Sequence, residues 1–388
     1  MRRTPLASRL LTAVGLCGLA ASSAGAANWT IGTHPCPGAN RTDALHRDED
    51  GRLWVGCGTN ATGYGLFHSD DGLAWSAATT TPAGVLETFR VSSIETGHDG
   101  ALYVAGTSSI TGNRAMVYRV DPATEPMAVT LTLEGVNQVG RQFHVGNYRE
   151  LWDGRAIAED LNGTWLLYRP DASTGTSASD WTRIEGAYQI LDLQGDGDRF
   201  IGGGGRINEP PRLFLPPLDP GDAPWDFVTF ALPTVTGWDG EIWGVARSYD
   251  KVIAVGVDQD EDIGKIFVSG DDPYVVADYV ERSVDDFLAP GPGYATWARG
   301  VCSGGDLVAV VGERQPLAAN TGFVLVSFDR GATFQDMTPP GVTASVSKCV
   351  VTRMNNRGDA DGPELIVAGA GGFVGLFAGD VIFENGFD

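Results

Sequence analysis

Three observations predict an all-β fold for this chain of 388 residues. Glycine numbers 53 residues, close to twice its average usage. Glycine is poor in helices and useful in turns, so this load argues against a helix bundle. Second, one unit recurs: an acidic or glycine turn, then a short apolar run, often closed by glycine. Third, the lead aspartates of these units, Asp50, Asp99, Asp153, Asp196, Asp250, Asp306 and Asp361, follow one another at steps of 49, 54, 43, 54, 56 and 55 residues. Repeats of this length, each holding several short strands, are the sequence signature of a β-propeller. Each blade is a small sheet with two apolar faces that only its neighbours can cover, so the ring must close. The reading is a single-domain, all-β, seven-bladed β-propeller, with six or eight blades as the alternatives. A two-sheet sandwich would not contain seven similar units. At 43% hydrophobic residues the chain can bury the core such a ring requires.

The elements follow in order. Arg2, Arg3 and Arg9 precede and enter an apolar run over residues 10–21, and Ala24-Gly25-Ala26 is a small-residue cleavage site. Residues 1–26 therefore read as a signal peptide, 27–380 as the propeller and 381–388 as a short tail. The apolar run is too short to span a bilayer, and no later segment reaches spanning length. Leu16 ahead of Cys17 argues against lipid attachment, which wants a small residue there. Losing three arginines takes the formal charge from -22 to about -25, which disfavours nucleic acid as a partner. Export to the periplasm or the extracellular space permits disulfides. Cys36, Cys57, Cys302 and Cys349 allow three pairings, of which the sequence-local Cys36–Cys57 and Cys302–Cys349 are favoured. Their spacing does not suit zinc.

Trp29-Thr30-Ile31 is a strand stub ahead of the first full unit. Residues 373–377 form a further strand before the tail, so the N-terminal strand is expected to complete the last blade. Between them lie the seven apolar runs, at 53–56, 102–106, 156–158, 200–202, 252–256, 307–310 and 365–369. Each is short and bounded by turn residues, as in a strand buried on both faces.

Ser327-Phe328-Asp329-Arg330-Gly331-Ala332-Thr333-Phe334 fits the pattern S-x-D-x-G-x-T-(W/F). It resembles the Asp-box, or BNR, repeat of sialidase-type propellers. His68-Ser69-Asp70-Asp71-Gly72-Leu73-Ala74-Trp75 resembles it with His in the serine place and Ala in the threonine place. The motif implies a hairpin between a blade's outer strands, with its aspartate accepting turn amides and its glycine at positive φ. Asp50-Gly51-Arg52-Leu53-Trp54-Val55-Gly56 is similar to the repeat of two-component-regulator-type propellers. These resemblances imply a fold and not an activity. The tail, Val381-Ile382-Phe383-Glu384-Asn385-Gly386-Phe387-Asp388, resembles the ending of some exported Gram-negative proteins.

Ligands of a propeller sit in the axial funnel, lined by the innermost strand of each blade. Counting nine residues back from each lead aspartate reaches Arg41, Arg90, His144, Ala187, Glu241 and Trp297. An insertion in the last unit puts Lys348 nearby instead. Tyr188, Trp243 and Arg299 adjoin this set, which is rich in the polar and aromatic groups of a binding site. A register error of one residue would turn these side chains to the other face. The sialidase resemblance implies three arginines around a carboxylate and a Tyr–Glu pair. Phe89-Arg90-Val91-Ser92 has the shape of the family's early arginine segment. Arg41 and Arg299 would join Arg90, with Tyr294 as nucleophile and Glu241 as its partner, although no local motif supports those assignments. Asp192, Asp196 and Asp198, and likewise Asp258, Asp260 and Asp262, alternate oxygen ligands as calcium would require; solvated acidic hairpins are the plainer reading. The resulting expectation is an exported, monomeric, non-catalytic binding module for a glycan, protein or cell-surface partner. The alternative is a glycan-active enzyme, a sialidase-like hydrolase or a lyase, that works in the funnel. Converging arginines beside a Tyr–Glu pair would favour the enzyme, an aromatic-floored groove the binder, and an apolar plug a mere scaffold.

Overall fold

The computed structural model describes residues 29–36, 42–58, 63–87, 89–108, 114–134, 145–151, 153–160, 165–169, 181–185, 190–196, 199–205, 210–215, 228–232, 240–288, 295–315, 321–351 and 365–377. The expected signal peptide and the tail lie outside them. Strands form seven separate sheets, six of four strands and one of five. The innermost strands are Ala44–Arg47, Phe89–Thr96, Val145–Glu150, Ile190–Asp196, Gly240–Ser248, Ala295–Gly304 and Val346–Val351, one per blade. Each packs against its successor, and the seventh packs against the first. The molecule is a seven-bladed β-propeller.

Trp29–Thr33 pairs antiparallel with Phe373–Phe377 as the outermost strand of the seventh blade. The ring thus closes with one strand from the start of the chain and three from its end. The second blade has an extra, two-residue strand, Thr80–Thr81, laid parallel on its outer edge.

The core is divided rather than central. One apolar cluster fills each interface between successive blades. In strand Leu307–Gln315 the stretch 307–311 is apolar without interruption because both faces are covered: Val308 and Val310 enter the cluster shared with the fifth blade, while Leu307, Ala309 and Val311 enter the cluster shared with the seventh. Alternate residues of a strand face opposite ways, and here both ways are inside.

The glycine that ends many of the units has a steric cause. A Cβ on Gly106 would stand 1.8 Å from the carbonyl oxygen of Arg90, and one on Gly256 would stand 1.9 Å from that of Glu241. Gly312 and Gly369 meet Trp297 and Ser345 in the same way. At this point the inner strand bulges: the register shifts between Val91 and Ser93, Ile242 and Gly244, Ala298 and Gly300, and Val346 and Lys348. The third and fourth blades shift at the same level. A bulge bends a strand and re-aims a side chain.

Both expected disulfides are present. Cys36–Cys57 ties the segment after the closing strand to the first blade, and Cys302–Cys349 staples the inner strands of the sixth and seventh blades together. His34 adds a polar latch at the same seam. The Thr42 hydroxyl donates to the Gly369 carbonyl at 3.0 Å, so the His34 Nε2–H is the donor towards Thr42 at 2.8 Å. His34 Nδ1 accepts from the Cys36 amide at 3.2 Å. This pattern requires neutral imidazole, and burial pushes the His34 pKa down to about 4. Among the described residues no helix is long and apolar enough to cross a membrane.

The outer hairpins correct one motif alignment. At residues 327–334 the Ser327 hydroxyl accepts from the Gly331 amide at 2.7 Å, and Asp329 Oδ1 accepts from the Thr333 amide at 2.8 Å. At the first blade the same bonds are made by Ser69, to the Gly72 amide at 2.8 Å, and by Asp71, to the Leu73 and Ala74 amides at 2.8 Å. Asp71 and not Asp70 holds the turn, because this hairpin is one residue shorter between its serine and its glycine.

Candidate functional site

In five blades a bulge brings one residue of the inner strand to the axial cavity. Ser92, Leu191, Trp243, Arg299 and Ser347 stand at the register shifts of their blades, and all five line a central cavity of about 310 Å³. Asn147 contributes from the third blade, and Thr42 and Asp43 from just ahead of the first inner strand. Arg90 and Lys348 complete the wall, so all seven blades take part. A smaller pocket of about 60 Å³ adjoins it, sharing Asp43, Ser92, Asn147, Trp243 and Lys348 and adding residues that include Ser93, Arg149, Asp192, Gln194 and Gly300.

One side of the site is an aromatic and charged cluster. The Arg299 guanidinium lies 4.0 Å from the ring centre of Trp243 and 4.5 Å from that of Trp297. The two indoles meet edge to face with centres 5.5 Å apart. Arg299 Nε donates to Glu313 Oε1 at 2.9 Å, and the Trp243 indole N–H donates to Glu241 Oε2 at 2.9 Å. Glu313 is 5% exposed. Stacking and a buried carboxylate together hold Arg299 in one pose, and Arg299 in turn fixes the face of Trp243.

The other side is looser. Arg90 Nε stands 3.8 Å from Asp43 Oδ2 across the first two blades, beyond hydrogen-bond distance. That nitrogen is buried and makes no hydrogen bond among the described residues. Lower down, Arg149 Nη1 donates to Ser93 Oγ at 2.7 Å and faces Glu95 Oε2 at 3.5 Å. Its charge and burial push the pKa of His46 down to about 3, burial being the larger cause, and His46 Nε2 pairs with Thr96 Oγ1 at 2.7 Å.

Of the residues singled out in the sequence, Arg90, Trp243, Arg299 and Lys348 line the cavity, and Glu241 and Trp297 join them through the aromatic cluster. Arg41, His144, Tyr188 and Tyr294 lie outside the described residues. Thr42, Asp43, Ser92, Asn147, Leu191 and Ser347 also line it. Being small or ordinary residues, they carry no composition signal; the bulge that exposes them was the missing information.

The acidic loops take another form. Asp192 sits in a strand, Ile190–Asp196, and its Oδ2 accepts from the Val245 amide of the next blade at 2.9 Å. Asp196 ends that strand, and Asp198 lies outside the described residues. Asp258 is 2% exposed and caps its own hairpin by accepting from the Asp260 and Glu261 amides at 3.0 and 3.3 Å. Burial raises its pKa. Its carboxylate does not converge with those of Asp260 and Asp262: among the described residues the one cluster with metal-ligand proximity is His34, Cys36 and Cys57, whose cysteines are in a disulfide.

A Tyr–Glu pair exists, but it does not line the funnel. Tyr148 donates to Glu150 Oε2 at 2.5 Å, and Arg169 Nη2 holds the same oxygen at 2.9 Å. The pair is buried between the second and third blades, where Tyr148 stacks on Tyr103 and burial drives its pKa up.

Comparison with solved structures agrees on architecture. A catalytically inactive virginiamycin B lyase from Staphylococcus aureus, with quinupristin, matches at a TM-score of 0.56 and 11% identity, over 90% of this chain and 99% of the other. YCF48 from Cyanidioschyzon merolae matches at 0.56 and 13%, over 90% and 98%. YCF48 bound to D1 peptide matches at 0.56 and 15%, over 91% and 96%. At these identities the likeness is one of fold. No family model and no curated protein matches the chain.

Proposed function

We propose that this chain is an exported, non-catalytic binding propeller whose central funnel holds part of a partner molecule, a protein before a glycan. The observation that carries the reading is the funnel itself, an open cavity of about 310 Å³ to which all seven blades contribute, five of them with polar groups and one with an immobilised indole. It is neither plugged by apolar side chains nor, among the described residues, furnished with a Tyr–Glu pair. Its volume falls at the small end of ligand sites, which suits the end of a chain. That YCF48, a propeller of like fold, is seen with a peptide supports a protein partner. The two disulfides support export. The serine and aspartate bonds of the hairpins at residues 69–75 and 327–334 support their reading as Asp boxes, and so a kinship with Asp-box propellers.

The test is an array of peptides and glycans probed with the purified protein, with and without calcium, reading bound protein and released product on the same slides. Binding without product is expected, and Trp243→Ala should weaken it by about tenfold or more, since buried aromatic anchors dominate such sites. Product release that disappears in Arg90→Ala would overturn the reading in favour of an enzyme.

A further inference from the structure

We propose that the Cys302–Cys349 disulfide is a reversible, thiol-responsive staple that sets the rigidity of the funnel wall. The switch stands on the surroundings of the two disulfides; only its value to a ligand rests on the binding role proposed above.

Those surroundings differ. Cys36 and Cys57 are 7% and 2% exposed and share an apolar cluster with Val55. A thiolate reaches their sulfurs only by opening the seam. Cys302 and Cys349 are both half-buried. Cys349 also lines the axial pocket of about 60 Å³, beside Lys348, Gly300 and Val301. Exchange begins with a thiolate meeting a sulfur, so access decides which bond is attacked.

A second observation concerns the reduced state. Both sulfurs stand near the Ala309 carbonyl oxygen, Cys302 Sγ at 4.0 Å and Cys349 Sγ at 3.7 Å. A thiol formed at either position therefore has an acceptor in place. The interface beside them is closed by packing as well: Val311, Val324, Val326, Val346, Val367 and Phe377 are buried together there. Breaking the bond leaves the sixth and seventh blades packed and the two sulfurs close enough to rejoin.

What changes is the wall. The inner strands Ala295–Gly304 and Val346–Val351 belong to separate sheets, so no ladder hydrogen bond joins them. The disulfide is the covalent tie between them. Arg299 stands three residues before Cys302, Lys348 is the neighbour of Cys349, and both line the cavity. Reduction thus loosens the wall next to the site.

The step is thiol–disulfide exchange with a dithiol. Its thiolate attacks one sulfur, the S–S bond breaks, a mixed disulfide forms and the other cysteine leaves as thiolate. The second sulfur of the dithiol then displaces the first cysteine. Two electrons pass to the cystine, the two protons of the dithiol end on Cys302 and Cys349, and the dithiol becomes a disulfide.

The experiment treats the folded, oxidised full chain with dithiothreitol in the absence of denaturant. Free thiols are blocked with iodoacetamide at timed intervals and assigned by peptide mass spectrometry. Cys302 and Cys349 should be labelled at least about tenfold faster than Cys36 and Cys57. At that point the far-ultraviolet circular dichroism should be unchanged, and hydrogen exchange over residues 295–304 and 346–351 should quicken by about threefold or more. Oxidised glutathione should restore the slow exchange. The double variant Cys302→Ser, Cys349→Ser should show the quick exchange without any dithiol. Equal labelling of the two pairs, or earlier labelling of Cys36 and Cys57, would overturn the proposal. So would unchanged exchange on the two strands, or loss of the dichroism signal on reduction, which would make the bond purely structural. No ligand enters these readouts: their failure leaves the binding role standing, and a failure of the binding array leaves the switch standing.

Discussion

Gly106 shows how tightly single residues determine the funnel. Its missing side chain leaves room for the Arg90 carbonyl, which would otherwise lie 1.8 Å from a Cβ. The obstacle is backbone, so it cannot swing aside. Gly106→Ala should cost on the order of 2–3 kcal/mol, as overpacking does, and should weaken ligand binding through displacement of Arg90. Urea denaturation and a binding isotherm on the same variant would check both. His34 makes a prediction of another kind. Its pKa is near 4 in the fold against an ordinary 6.5. Between these values the unfolded chain takes up a proton that the folded chain refuses. The stability tied to neutral His34 is therefore complete above about pH 6.5 and lost as pH falls towards 4, by about 3 kcal/mol at most. His46 is lowered by burial and by Arg149, with the same sign. A His34→Gln variant should show a shallower fall of melting temperature between pH 6.5 and 4 than the parent.

At the scale of elements, the apolar runs were legible because every second strand of a blade is inside on both faces. Alternation is absent, and a continuous run between turn residues is what remains to be read. The turns were legible in kind and less so in detail. Asp-Gly marks the hairpin in the first three blades, where Gly51, Gly100 and Gly154 take positive φ. In the fifth and sixth the left-handed residue precedes the aspartate instead, at Tyr249 and Gly305. The first outer hairpin was aligned one residue off, to His68 and Asp70, since the side chains that close it, Ser69 and Asp71, enclose a shorter turn than the motif assumes. The site was legible where chemistry was conspicuous. Counting back from the lead aspartates found Arg90, Glu241 and Trp297, and Trp243 and Arg299 two residues further on stand at the bulges. Ser92 and Ser347 stayed hidden, because a bulge adds a residue without changing the apolar pattern around it.

The whole molecule depends on its seam. Trp29–Thr33 contributes one strand of the seventh sheet, and the Trp29 indole donates to the Met337 carbonyl of the sixth blade at 3.0 Å. Deleting residues 29–33 should lower the melting temperature by about 10 °C or more, given a few degrees for each kcal/mol in a chain of this size. Differential scanning calorimetry would detect it, and the same variant should lose ligand, because Lys348 and Asp43 line the cavity on either side of the junction between the seventh blade and the first. The seam also imposes an order of events. Trp29 is paired with Phe377, so a chain made from its N-terminus produces this strand near the beginning and its partner near the end. Contacts so distant in sequence form late and slowly. Every blade but the last can assemble from consecutive strands while synthesis continues. The funnel cannot, because its wall needs the final blade locked to the first. A nascent or prematurely terminated chain therefore holds folded blades and no complete site, and competence to bind arrives in one step, at the moment the oldest strand meets the youngest.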